Sequence, residues 1–248
     1  MLISYCSQIK NRFHQFSETF EHNLYQINKH ENTEWIIVDC GSNDGIRDFM
    51  QKFIELNPIS RVYYYIALDY KSYSIPVAKN FSARLSSGNY IFNLDVDNFI
   101  ADITDTIMEK GEDIGVFCNV MRQGIYGRVG CSRNIFKLAG GYDESFLPAG
   151  KHETDFRLRC SKLLGYNFED ITCSKPAILN SKEDTTLNMD SQMSWKMMNS
   201  ENESKMNLNL SNGNFHPNKK FTSCKFIKNF KDTVVLEEQE FNVNVKRS

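Results

Sequence analysis

Tyr90-Ile91-Phe92-Asn93-Leu94-Asp95-Val96-Asp97-Asn98-Phe99 is the stretch on which the fold turns. Apolar and aromatic residues from Tyr90 to Leu94 predict a buried strand. Two carboxylates follow, Asp95 and Asp97, and strand alternation would turn both to one face with Val96 packed behind. In open α/β sheets, ligands bind beyond the carboxyl ends of the strands. Two carboxylates there, with no basic residue between them, repel one another. A hard divalent cation shared with the phosphate oxygens of a ligand resolves that repulsion. An EF-hand calcium loop fits poorly, because Ile100 and Ile107 fall near the places such a loop gives to Gly and Glu. A solvated strand end and a phosphotransferase with an aspartyl nucleophile are readings that spacing alone leaves open.

Working outward, strand and helix patterns alternate. Leu2 to Cys6 reads as a strand rather than a signal segment, and Phe13, Phe16, Phe20, Leu24 and Ile27 mark a helical stripe. Trp35 to Asp39 is a second strand, leading into the glycine-rich turn Asp39-Cys40-Gly41-Ser42-Asn43-Asp44-Gly45. A helix from Ile46 to Leu56, a strand from Val62 to Leu68 and a helix from Ala78 to Ser86 complete the approach to Tyr90. Four such alternations predict a mostly parallel, helix-covered sheet. Beyond Asp97 the pattern predicts a short helix over Ile103 to Met108 and a strand over Ile114 to Val120. A glycine-broken hairpin over Gly124 to Gly130, a helix over Ser132 to Leu138 and a helix opening at Lys151 to Arg159 follow. From Asn180 the chain turns rich in Asn, Ser and Met, and Met189, Met193 and Met197 stand at helical spacing. The expected division is one α/β domain over residues 1–180, its donor-binding half ending near 100 and its acceptor half covering 101–180, with a helical extension over 181–248.

Composition narrows the classes. At 248 residues, 41% apolar and with a net charge of −2, the chain is globular and does not call for nucleic acid as a partner. Seven cysteines without paired spacing point to reduced thiols in a cytoplasmic setting, and the absence of Cys-x-x-Cys argues against structural zinc. From Ser204 to Lys231 there is no acidic residue. The lysines of Lys219 to Lys231 therefore suggest either a solvated surface or a patch that meets anionic lipid.

Four pieces of sequence, in order, resemble nucleotide-sugar glycosyltransferases of the GT-A fold, family 2-like, over roughly residues 2–170. They are Ile3 to Arg12, the turn Val38 to Gly45, Asp95-Val96-Asp97, and Gly140-Gly141-Tyr142-Asp143-Glu144 followed by Glu153-x-Asp155 and Arg159. Within that family, Gly127 to Arg159 is similar to the C-terminal half of inverting β-1,4-galactosyltransferase-like enzymes.

The resemblance implies a metal-dependent inverting transferase that moves a hexose, galactose-type, from a UDP-sugar to a hydroxyl of a glycan or lipid-linked glycan. The expected setting is bacterial surface polysaccharide or lipooligosaccharide assembly, in the cytoplasm or peripheral on the inner membrane face. It implies Mn²⁺ or Mg²⁺ on Asp97, with Asp95 nearer the ribose and the metal's water shell. Asp39 would meet the base or ribose, and Arg12 and Lys79 the base or diphosphate. The acceptor hydroxyl needs a general base, and Glu153 or Asp155 would supply it. Two departures from the family stand out. His152-Glu153-Thr154-Asp155 replaces adjacent acids, and Asn180, ending Ile178-Leu179-Asn180, stands where relatives often place a metal-binding histidine. A non-catalytic nucleotide-sugar or glycan-binding module and a nucleotidyltransferase are the rival classes.

Overall fold

Apolar runs alternating with amphipathic segments build the first half of the computed structural model, which describes residues 1–100, 103–119, 128–172, 175, 177, 178, 180, 181, 186–189 and 191–238. The order is β1 (Ile3–Ile9), α1 (Phe13–Lys29), β2 (Thr33–Asp39), α2 (Ile46–Leu56), β3 (Val62–Ala67), α3 (Ile75–Leu85) and β4 (Tyr90–Leu94), as the sequence predicts. Strand β1 lies between β2 and β4 and runs parallel to both, and β2 runs parallel to β3. All residues of β1, β2 and β4 are buried, the mark of strands covered on both faces.

One covering layer is aromatic. Phe16 and Phe20 of α1 pack on Trp35 of β2 at 5.6 and 5.7 Å between ring centroids, and Phe20 meets Phe49 of α2 at 4.9 Å. The opposite layer joins Phe81 of α3 to Phe136, Tyr142 and Phe156. These last three come from the second half of the chain: α4 (Ile103–Lys110), β5 (Gly115–Asn119), β6 (Arg128–Ser132), α5 (Arg133–Leu138), α6 (His152–Leu164) and β7 (Phe168–Thr172). Strand β6 is antiparallel to both β4 and β5, and β5 is parallel to β7. The expected hairpin at Gly124 lies largely outside the described residues; the described part, Arg128 to Gly130, belongs to β6.

The C-terminal segment does more than form a helix. Helix α7 (Trp195–Ser211) is followed by β8 (Cys224–Lys228) and β9 (Asp232–Leu236). Strand β8 pairs antiparallel with β3, so the described strands form one sheet in the order β7-β5-β6-β4-β1-β2-β3-β8-β9. Asn229 and Phe230 make the turn between β8 and β9 with positive φ, which suits Asn and strains Phe. Phe230 is held there by stacking on Tyr64 at 5.5 Å.

The methionine stripe also differs from expectation. Ser194 caps α7 by accepting from Met197 N, so the helix starts after Met189 and Met193. It buries Met198, Asn202, Met206 and Asn209, while Met197 is 56% exposed. Six cysteines are free and buried, as expected, and Cys173 lies outside the described residues. Among the described residues, no helix is long and apolar enough to cross a membrane.

Candidate active site

Strand β4 stops at Leu94, one residue before the carboxylates. Asp95 to Asn98 form a turn, closed by Asn98 N donating to the Asp95 carbonyl at 2.8 Å. Asp95 and Asp97 are therefore placed by a turn rather than by strand alternation, although Val96 is buried behind them as expected. Asp95 Oδ1 accepts from Gln8 Nε2 at 2.5 Å and Asn93 Nδ2 at 3.1 Å, and Lys79 Nζ lies 3.3 Å away. Asp97 accepts from Asn98 Nδ2 at 2.8 Å and from Asn180 Nδ2 at 2.5 Å. Burial, reinforced by the neighbouring charge of Asp95, pushes the Asp97 carboxyl up to about 7.

The loops after β1 and β2 are laced together beside this turn. Asn11 N donates to Ser42 Oγ at 2.9 Å, Asn43 N donates to Asn11 Oδ1 at 2.8 Å, and Phe13 N donates to Asp44 Oδ2 at 2.7 Å. Asp44 thus satisfies an orphan donor at the start of α1, whose own preceding residue, Arg12, makes no side-chain cap. Arg12 Nη1 reaches Asn180 Oδ1 at 3.3 Å, which brings it to the Asp97 side of the site.

Asp39 ends β2, as expected. Its Oδ1 accepts from Gly41 N and Ser42 N at 3.1 and 2.7 Å, and its Oδ2 accepts from Arg47 Nε at 2.9 Å and Tyr64 OH at 2.7 Å. The residue is 0% exposed. Its carboxylate holds the glycine turn and the α2 entry.

The start of α6 brings in the other candidates. Glu153 Oε1 accepts from Lys79 Nζ, and His152 Nε2 stands 2.8 Å from the same oxygen. Burial alone would raise the Glu153 carboxyl, but His152 and Lys79 together hold it well below the usual carboxylate range. Burial likewise opposes the charge on Lys79, and Asp95 and Glu153 outweigh it, leaving the ammonium raised. The ammonium also lies 5.5 Å from the centre of the Tyr142 ring.

Asp155, two residues on, is turned inward. Its Oδ2 accepts from Arg159 Nε at 2.7 Å and its Oδ1 from Asn209 Nδ2 at 3.3 Å. Arg159 in turn donates to the carbonyls of Ala139, Gly141 and Phe215. Asp155 and Arg159 are both 0% exposed, and this pair braces the loop before α6. Burial leaves the Asp155 carboxyl raised despite Arg159, but exposure, not proton affinity, decides which acid a substrate can reach.

Sequence reading missed several supports of the site. Asn80, next to Lys79, donates to the Tyr142 carbonyl at 2.8 Å and accepts from Tyr142 N at 2.9 Å. A Cβ on Gly141, whose φ is +64°, would meet Asn80 Oδ1 at 2.5 Å, so the Gly140-Gly141 turn needs glycine there. Asn202 of α7 accepts from Leu147 N and donates to the carbonyls of Leu147, Ala149 and Gly150. Asn218 similarly bridges Gly140, Tyr142 and Glu144. The asparagine enrichment was visible in the sequence; its partners, 52 or more residues away, were not.

No group of three or more His, Cys, Asp or Glu that could hold a metal occurs among the described residues. The donor set nonetheless fits a hard cation of the Mg²⁺ or Mn²⁺ kind. Such an ion is commonly held by one or two carboxylates, with substrate phosphates and water completing the shell. Asp97 and Asp95 would provide the carboxylates, and Asn180 donates its amide to Asp97.

The family model for glycosyl transferase family 2 matches residues 7–128, just under half of the chain. That span holds Asp39, Lys79, Asp95 and Asp97 and ends before Glu153. No curated protein matches. Among solved structures, the mannosyltransferase PcManGT from Pyrobaculum calidifontis, in complex with GDP-Man and Mn²⁺, superposes with a TM-score of 0.58 at 14% identity, over 87% of this chain and 72% of that one. Glucosyl-3-phosphoglycerate synthase from Mycobacterium tuberculosis, with phosphoglyceric acid, gives 0.55 at 16% identity over 74% of each chain. TarS 1-349 of S. aureus with UDP-GlcNAc gives 0.53 at 12% identity, over 85% of this chain and 73% of that one. The fold is the GT-A fold of glycosyltransferases, a mixed α/β sheet with flanking helices.

Proposed function

We propose that this chain is a metal-dependent inverting glycosyltransferase. It would move a hexose from a nucleotide-sugar, UDP-linked, to a hydroxyl group of a glycan or lipid-linked glycan. The observation that carries the reading is the meeting of two carboxylate centres at one ammonium: Lys79 touches Asp95 at the end of β4 and Glu153 at the start of α6.

A divalent ion at Asp97 and Asp95 would supply Lewis-acid stabilisation of the diphosphate leaving group. Asn180 and Asn98 brace Asp97, and Gln8 and Asn93 brace Asp95, beyond the end of β4. Glu153 takes the proton of the acceptor hydroxyl as its oxygen bonds to the sugar's anomeric carbon. The bond from that carbon to the diphosphate breaks with its electron pair on the nucleotide, and attack from the opposite side inverts the centre. Glu153 is assigned this role rather than Asp155 because only Glu153 keeps side-chain exposure, 11% against 0%.

The GT-A fold, the family match over the donor half and the nucleotide-sugars present with PcManGT and TarS support the reading. The resemblance of residues 127–159 favours a galactose-type sugar. A place in bacterial surface polysaccharide or lipooligosaccharide assembly, on the cytoplasmic side, accords with such an acceptor. Lys219 to Lys231 would then face anionic lipid, and replacing Lys225, Lys228 and Lys231 with Gln should reduce sedimentation with anionic vesicles.

The experiment is a panel of UDP- and GDP-sugars with and without Mn²⁺, read by melting temperature and by nucleotide release. A metal-dependent rise in melting temperature together with slow release of the nucleotide supports the transferase. A rise without release indicates a binding module. No response to any donor defeats the reading.

A further inference from the structure

Lys79 is an unusual residue for the interior: an ammonium 1% exposed, in the second turn of a helix whose other buried residues are mostly apolar or small. Burying such a charge is costly unless it is paired. Its pairing is divided between two acids that belong to opposite halves of the site. The next residue, Asn80, grips the backbone of Tyr142 on both sides of the residue. Helix α3 therefore holds the donor turn, the Gly140-Gly141 loop and the start of α6 through two consecutive side chains.

The contact with Glu153 is one-sided. Lys79 and His152 both approach Oε1, and no hydrogen bond reaches Oε2 among the described residues. The Glu153 side chain keeps 11% exposure, and Oε2 is the oxygen that Lys79 and His152 leave untaken. The charged and titratable groups around this carboxylate are Lys79 from α3, His152 from its own helix, Tyr142 from the loop before it, and Asp95 beyond Lys79.

We infer that Lys79 is a positioning residue: it registers Glu153 against Asp95 so that Oε2 faces the acceptor hydroxyl at a fixed distance from the donor. The inference rests on the glycosyltransferase reading above and adds the part that sets the separation between the base and the donor acid. It also moves Lys79 from the donor-binding role that the sequence suggests. A side chain this deeply buried does not meet a diphosphate; it meets the acid that does. Losing the register displaces the base, and a displacement of about 1 Å can cost about 10²-fold in rate without a matching loss of binding.

The test uses the full chain and the donor that gives the fastest metal-dependent nucleotide release. Lys79→Met should lower kcat by about 10- to 100-fold while the donor KM and the affinity for UDP with Mn²⁺ stay close to wild type. Lys79→Arg, whose fork can still span both acids, should recover most of that rate. In a Glu153→Gln background, Lys79→Met should cost no further rate, because there is no base left to position. That double variant also covers the case in which Lys79→Met alone unfolds, since it removes both charges of the pair together. Equal losses of rate in both backgrounds would overturn the inference, as would a fall in UDP affinity that accounts for the loss. Should wild-type protein show no metal-dependent nucleotide binding, the transferase reading fails with it, and that outcome is visible before any variant is made.

Discussion

Asn180 Nδ2 donates to Asp97 Oδ2 at 2.5 Å, and its Oδ1 accepts from Gln15 Nε2 at 2.9 Å and Arg12 Nη1 at 3.3 Å. One amide thus ties the candidate metal ligand to helix α1. Removing partners of this kind typically costs about 10- to 100-fold in metal affinity. Asn180→Ala should therefore weaken Mn²⁺ binding in the presence of UDP by roughly tenfold or more, measured by calorimetric titration. Unchanged Mn²⁺ affinity would confine Asn180 to a structural tie.

Asp97→Ala should abolish Mn²⁺-dependent UDP binding and turnover while the fold survives, because the change removes a buried carboxyl from a turn rather than from a strand or helix. Full activity in that variant would remove the basis of the metal assignment. Asp95→Ala should weaken donor binding and leave part of the metal affinity.

The proton on Asp97 gives a pH signature. With a folded value near 7 against an ordinary carboxylate in the unfolded chain, the folded protein holds a proton that the unfolded chain has released. The contribution to stability is thus fully present below the unfolded value and is lost as pH rises through about 7. In Asp97→Asn that part of the slope should vanish, which thermal melts of the metal-free protein from about pH 5 to about pH 8 will show. A slope identical in both proteins would assign it to other groups.

Glu153 and Asp155 should separate cleanly. Glu153→Gln keeps shape but cannot take the proton, so kcat should fall by about 10²–10⁴-fold with donor affinity nearly unchanged. Asp155→Asn leaves Arg159 buried without its partner, and the penalty for that is roughly 3–5 kcal/mol of stability. Chemical denaturation should register it before any assay of rate does. Exchanged outcomes would make Asp155 the base.

Asn202, 1% exposed, satisfies one amide and three carbonyls of the loop before α6. Asn202→Ala leaves several of these groups unpaired and should cost at least about 1–3 kcal/mol. Loss of stability with normal kcat in the surviving folded protein is the expected pattern.

The alternating first half was legible because each element carries its own local signal: the aromatic stripe of α1, the apolar runs of β1 to β4, and the glycine turn before α2. Legibility ended where geometry depends on partners far along the chain. Asp95 and Asp97 were found from their spacing, yet the turn that presents them was not, since nothing local distinguishes a strand continuing through Val96 from one that stops at Leu94. Asp39 carried the right motif, but Arg47 and Tyr64 consume its carboxylate in three dimensions. Strands β8 and β9 carry only a short local signal: Cys224 and Phe226 alternate with the lysines of Cys224 to Lys228 at the period of a strand, and the pairing with β3 is what buries them. The site's acids could be listed by residue type; the burial that separates Glu153 from Asp155 depends on packing that no local signal carries.

The pairing of β8 with Tyr65, Ile66 and Ala67 of β3 bears on how this protein can be cut and still be handled in the laboratory. A fragment ending at residue 180 would retain strands β1 to β7 but bare the flank of β3 as a row of unmatched amides and carbonyls. Such a flank recruits strands from neighbouring copies. Recombinant fragments that stop there are expected in inclusion bodies, whereas a chain carried through Leu236 should remain in the supernatant.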